Sequence, residues 1–464
     1  TIETDLKINF PLIKNLASDD LKISGTGHLN NVRIQSFILS SQFPPSEIEK
    51  LQGKIVLNEN DFSLHGTTLV NAIPVTYSWD GSLVPEQTGI RRRLKLQTRL
   101  GDAERKLWEI DDKRVSGFIE IEAALIEHNN GLKEATLLID GTDADVSAPW
   151  LIWNKPAGEP GNAKFDLFTT GEDMAKAAKF EIYSKNLRAK GSIELNESRT
   201  IETLIFDLLE FGTTKLSSQL RLKDHNQYEI SILADNIDLT SLAPLDEIEN
   251  GRKFFISGEA GKISLPNGAI FSGVEGHISR GKGKALTVEG IAQELDLRKY
   301  FSNNDPNNGS AHGEKTPLPA LNIKGNIQRI LIDDQITLSN FRGETSYDGE
   351  KFGATEAEVF LENSEKVQFR IDKREKNRVL SIYSANAGAA LRALDITDDL
   401  IGGTLMVKAN FHDNEEHRPL VGNLIINEFH IINAPILAKL LTIATLTGAL
   451  ELLGGQGLPF DQLH

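Results

Sequence analysis

Leu216, Ser218, Leu220 and Leu222 alternate with Lys215, Ser217, Gln219, Arg221 and Lys223. An extended chain therefore puts apolar side chains on one face and polar ones on the other. The same period of two recurs at Ile119, Ile121, Ala123 and Leu125, at Ile230 and Ile232, at Val367, Phe369 and Ile371, and at Leu405, Val407, Ala409 and Phe411. Each run predicts a strand with one apolar face. The runs break at Asn129-Asn130-Gly131, Asp140-Gly141, Asn267-Gly268 and Asp348-Gly349, where Gly or Asn accepts positive φ and lets the chain reverse. Antiparallel meanders follow, with helix below about a fifth of the chain.

Helical signals are short: 102–110, 241–248 and 295–301. Asn236-Ile237-Asp238-Leu239 and Gln293-Glu294-Leu295-Asp296-Leu297 resemble each other, each ending a strand and opening a short helix. The stretch 385–391 sits comparably, so a loose strand-plus-helix module repeats at irregular spacing. The Asn-, Pro- and Gly-rich loop 303–319 reads as the internal boundary. It separates a repeating β region, 1–302, from a C-terminal β region, 320–464.

Between 431 and 453 only Lys439 and Glu451 are charged. Asn433 can cap and Pro435 can start a helix over 434–453. Ile436, Leu437, Leu440, Leu441, Ile443, Leu446 and Leu450 leave it little polar surface. Lys439, Thr442, Thr445 and Thr447 count against a bilayer span, which takes about 20 apolar residues. A helix resting on the apolar side of the sheet, plugging or gating it, is the expectation.

Composition narrows the chemistry. The 464 residues are 39% hydrophobic and carry 50 Lys plus Arg against 66 Asp plus Glu, a formal charge of -16. Nucleic acid is not an expected partner. There is no cysteine, so thiolate metal sites and Cys nucleophiles are excluded. The chain starts inside an alternating run without Met, which reads as part of a longer protein.

Gly276-His277-Ile278-Ser279-Arg280-Gly281-Lys282-Gly283 has phosphate-loop spacing. It lacks the magnesium-binding hydroxyl and continues into a strand, so it reads as a hairpin. His412-Asp413-Asn414-Glu415-Glu416-His417 reads as a solvated hairpin tip rather than a metal site. No Gly-x-Ser-x-Gly elbow occurs, and Asp111-Asp112 and Asp333-Asp334 fall at apparent turns. No catalytic residue, metal or cofactor is assigned, and an enzyme is not expected. Arg91, Arg93, Lys95 and Arg99 form a basic face opposite Leu94, Leu96 and Leu100. It reads as a solvated face, or as a contact for anionic head groups or an acidic partner.

The run from Gly422-Asn423-Leu424-Ile425-Ile426 through Ala434-Pro435-Ile436-Leu437-Ala438-Lys439-Leu440-Leu441 resembles the C-terminal region of the AsmA-like superfamily, particularly its YhdP-like branch. Leu446-Thr447-Gly448-Ala449-Leu450 with 454–460, the phrase 149–160, and 387–394 before Gly402-Gly403 agree with it. The resemblance covers the C-terminal third well and the remainder loosely. It implies an elongated, mostly antiparallel, twisted sheet curled into an open hydrophobic groove. It further implies a periplasmic, bridge-like lipid-transfer protein held in the inner membrane of a Gram-negative bacterium by an N-terminal anchor. Such a protein moves phospholipid toward the outer membrane, with outer-membrane or periplasmic proteins as further partners.

The candidate groove lining is Ile119, Ile121, Leu125, Leu216, Leu220, Leu222, Ile230, Ile232, Val367, Phe369, Ile371, Leu405, Val407 and Phe411. Period two fits equally a closed β-sandwich scaffold for envelope assembly. The two readings part on whether the apolar faces stay open.

Overall fold

A computed structural model describes residues 1–9, 22–37, 46–84, 89–107, 113–148, 153–170, 177–196, 200–223, 227–241, 253–280, 285–303, 320–334, 336–361, 365–374, 377–393, 396–413, 420–432 and 458–463. The protein is mainly β and forms two compact units, Thr1–Leu222 and Lys223–His464.

In the first unit the main sheet runs in chain order from the strand Ile2–Asn9 to the strand Thr214–Lys223, and every described pairing is antiparallel. Turn chemistry sets this order. Gly131 takes φ 83° at the predicted turn after Ile119–His128. Asn71 and Ala72 both take positive φ, 49° and 68°, between the paired residues Val70 and Ile73. That two-residue link has the twist antiparallel strands require. The described sheet does not close into a barrel.

Asp140-Gly141 makes no direct reversal, contrary to expectation. Asp140 instead accepts hydrogen bonds from the Thr142 amide and hydroxyl at 2.8 and 2.6 Å. The chain there leaves the main sheet for a three-stranded one, where Ala144–Ala148 pairs with Val115–Gly117 and Trp153–Lys155. Two buried cations hold this insertion. Helix α1, Asp102–Leu107, carries Arg105, which is bonded to Asp102 and donates to the carbonyls of Gly117 and Val115 at 2.7 and 3.0 Å. Lys155 Nζ donates to the Ala144 and Pro156 carbonyls at 2.7 and 3.0 Å. Burying a cation is tolerable only with such acceptors in place.

The second unit runs in chain order from Gln227–Asp238 to Leu458–Leu463. Two of its pairings are parallel: Gln227–Asp238 with Lys253–Ser264, and Leu286–Asp296 with Leu321–Leu331. Parallel neighbours need a crossover, not a hairpin. Both crossovers start at the related phrases seen in the sequence, and in the same way: Asp238 accepts from the Thr240 amide and Asp296 from the Arg298 amide, each at 3.0 Å. A 3-10 turn, Leu239–Ser241, follows the first, the rest of the expected 241–248 helix lying outside the described residues, and helix α2, Arg298–Asn303, follows the second. Leu295 and Asp296 thus finish a strand, and the expected helix begins two residues later. Because strands on both sides of 303–319 are hydrogen-bonded to each other, that loop is a connection within one unit. The compact units divide at Leu222 and Lys223 instead.

Helix α3, Ala387–Ala393, lies where 385–391 suggested one. Asn386 caps it by accepting from the Ala389 amide at 3.0 Å. It packs with Leu361, Leu400, Leu405, Ile426, Phe429 and Ile431 into a buried cluster.

Candidate functional site

Register turns the separate alternations into rows that cross the sheet. In the first unit Ile121, Ile139, Ala163, Ile182, Ala189, Leu209 and Leu216 are successive cross-strand partners on one face. A second row, Leu94, Leu125, Ala135, Leu167, Ala178, Ile193, Leu204 and Leu220, runs parallel to it, with Ala123, Leu137, Phe165 and the buried Phe180 between the two. Ile119 pairs with Leu100, and Leu222 extends the Leu216 and Leu220 face by one position. All six first-unit lining candidates therefore share one apolar face.

That face is half-buried. Ile119, Ile121, Leu125, Leu216, Leu220 and Leu222 are each neither buried nor fully exposed. A sandwich interior would bring such side chains close to zero exposure. Both clusters of buried apolar residues among the described residues lie in the second unit.

There, Val367 shares a row with Ser384 and Leu405, Phe369 with Ile382 and Val407, and Ile371 with Leu380 and Ala409. Phe411 pairs with Arg378, while Ile230 and Ile232 pair with Ile256 and Gly258. Leu405 is 2% exposed and Ile371 5%, so these two belong to packed core. Ile230, Ile232, Val367, Phe369, Val407 and Phe411 are half-buried. A helix does rest on the apolar side here, but the described one is α3. The predicted segment with Ile436, Leu437, Leu440, Leu441, Ile443, Leu446 and Leu450 lies outside the described residues. Sequence reasoning placed a short helix here but missed its packing against this core. Gly388 was the signal, since a side chain there would run into the Leu400 carbonyl.

The basic face is matched by acids on neighbouring strands and, at Asp143, in a turn. Arg91 reaches Glu127 at 3.2 Å and Lys95 reaches Glu122 at 2.8 Å. Arg99 meets Asp143 at 2.7 Å and lies over the Phe118 ring at 4.7 Å. Arg93 is the cross-strand partner of Asp80. Hydrogen bonds from Lys95 and Gln97 hold the Glu122 carboxyl below its usual range. Such exposed cross-strand pairs solubilise the outer face and contribute little stability. They leave this face with little net charge for a head group.

Asp413 has a structural partner. Its two carboxylate oxygens accept from Arg378 at 2.8 and 2.6 Å, with Lys351 at 3.6 Å. The remainder of the His-Asp-Glu run, 414–417, lies outside the described residues, as do Asp111-Asp112 and 281–283. Gly276 to Arg280 belong to the strand Ile270–Arg280, consistent with the hairpin reading. Asp333 accepts from the Ile336 amide at 2.6 Å and Asp334 pairs with Arg298 at 3.1 Å. Among the described residues no three His, Asp or Glu side chains gather as metal ligands, and no helix is long and apolar enough to cross a membrane.

No family model, no curated protein and no solved structure matches the chain. The AsmA-like resemblance rests on the phrases that carry it.

Proposed function

We propose that the protein shelters phospholipid acyl chains against the apolar faces of its sheets and serves lipid transfer between membranes. The supporting observation is the first unit's pair of continuous apolar rows whose members, Ala189 apart, stay half-exposed. Hydrocarbon laid on such a face removes apolar surface from water at about 25 cal/mol per Å². The acid-base pairs on the opposite face keep that side in water. No covalent step is needed, and we assign no catalytic residue.

The setting that fits is the periplasm of a Gram-negative bacterium, with an N-terminal anchor in the inner membrane and delivery toward the outer membrane. This placement follows the AsmA-like resemblance. Native mass spectrometry of the gently purified protein tests the binding itself. Phospholipid adducts released by collisional activation are the expected result, and a lipid-free protein under those conditions would sink the reading.

The buried cluster under α3 favours a second reading for its own region. There the sheet is packed as a scaffold would be, and Leu405 and Ile371 serve stability rather than lipid contact.

A further inference from the structure

Five adjacent strands of the second unit place a glycine at the same transverse position. Gly258 pairs with Gly276, Gly276 with Gly290, Gly290 with Gly325, and Gly325 with Gly343. None of the five has positive φ, so backbone freedom does not explain them. Steric room does. A Cβ on Gly276 would stand 2.5 Å from the Glu289 carbonyl oxygen, and one on Gly290 would stand 2.8 Å from that of Glu275. On Gly258 it would run into the Ile232 carbonyl. At Gly258, Gly276 and Gly290 neighbouring backbones therefore approach more closely than any side chain permits, while at Gly343 the Phe341 ring fills the space. Glycine inside a strand with such approach marks a tight bend.

The rows on either side are branched or bulkier. Ile256, Ile278, Val288 and Ile323 flank the glycines on one side, and Ala260, Val274, Ala292, Ile327 and Phe341 on the other. The geometry points to a crease: the glycine line folds each strand in turn and makes the apolar face concave across its width. The crease deepens the hydrocarbon reading by giving that face a trough-like section, and rests on that reading only for its purpose. Its geometry stands alone.

The absence of cysteine makes the test direct, because paired spin labels at Thr287→Cys and Gln293→Cys are unique. They sit on either side of Gly290, where a straight strand would hold their Cα atoms about 20 Å apart. Gly276→Ala and Gly290→Ala should shift the label distance upward as the bend opens. Gly325→Ala is the internal control, since its Cβ would meet only the Gly290 oxygen at 3.4 Å, an ordinary contact. An unchanged distance in the first two variants, or the same change in all three, overturns the crease. Should Gly276→Ala fail to fold, Gly290→Ala, with the looser contact, carries the measurement. Phospholipid uptake from phosphatidylethanolamine and phosphatidylglycerol vesicles is read separately. A parent that takes up none, while Gly276→Ala still straightens the strand, removes the hydrocarbon reading and supports the crease.

Discussion

Leu405→Asp is expected to unfold the second unit, whereas Leu220→Asp is expected to leave the protein folded and, on the proposed function, to abolish phospholipid binding. Both residues alternate with polar neighbours in the same way, and their environments separate them. Leu405 is 2% exposed and packs under α3 with Ile426 and Phe429. A carboxylate there has neither water nor a described cation beside it, and the loss of packing adds to the cost of burial. The sum exceeds about 4 kcal/mol, at the far end of what single substitutions do.

Leu220 keeps part of its surface in water, so an aspartate can turn its carboxylate outward for about 1 kcal/mol. Yet it would set a charge in the row that joins Leu204 and Leu220, and acyl chains avoid a charge. Ile232 belongs with Leu220. Phe369 and Val407, packed against buried clusters, fall between the two extremes. Thermal melts and native mass spectrometry of the same samples decide the matter. Unfolding of Leu220→Asp would favour the sandwich scaffold, and full lipid loading of the folded variant would remove this row from the proposed lipid-binding face.

The alternation at 216–222 and 119–125 was legible because side-chain direction depends only on a residue's own strand. The rows were not. Row continuity depends on register, and register here passes through turns such as Asn71-Ala72 and through a bulge between Phe206 and Leu209. Neither carries a strong local signal, since alanine is an unusual choice at φ 68°. The two parallel pairings were hidden for a related reason. The phrases that open the crossovers are readable, but where the chain returns is decided across the crossovers 239–252 and 297–320. The glycine line is the clearest case: each glycine alone looks like a weakness in a strand, and only pairing aligns the five. Helix α3 showed as a short, small-residue stretch, and its role depends on strands that follow it in the chain.

Arg378 and Asp413, 35 residues apart, form a contact no local pattern reveals, and Asp413→Asn is expected to destabilise the second unit by about 2 to 3 kcal/mol. The Arg378 side chain is 9% exposed and that of Asp413 7%. The guanidinium donates to both carboxylate oxygens and to the Phe352 carbonyl at 2.6 Å, and lies 3.9 Å from the centre of the Phe411 ring. Removing the negative charge strands a nearly buried cation. The carbonyl and the ring remain as partial compensation, which places the cost below the largest values seen for broken buried pairs.

The Arg378 hydrogen bonds are also the main reason that the Asp413 carboxyl titrates below its usual range, with Lys351 adding to the effect. A carboxyl whose folded pKa is depressed contributes stability that is fully present above the unfolded value, about 3.9, and is lost as pH falls through the folded value. The parent should therefore lose stability below about pH 4 more steeply than Asp413→Asn, which has no carboxyl to protonate there. The difference between the two, measured by urea unfolding, should be constant from pH 7 to about 5 and shrink below about 4. A difference that persists unchanged at acid pH would show that the asparagine acts through packing, and that the ion pair contributes nothing of its own.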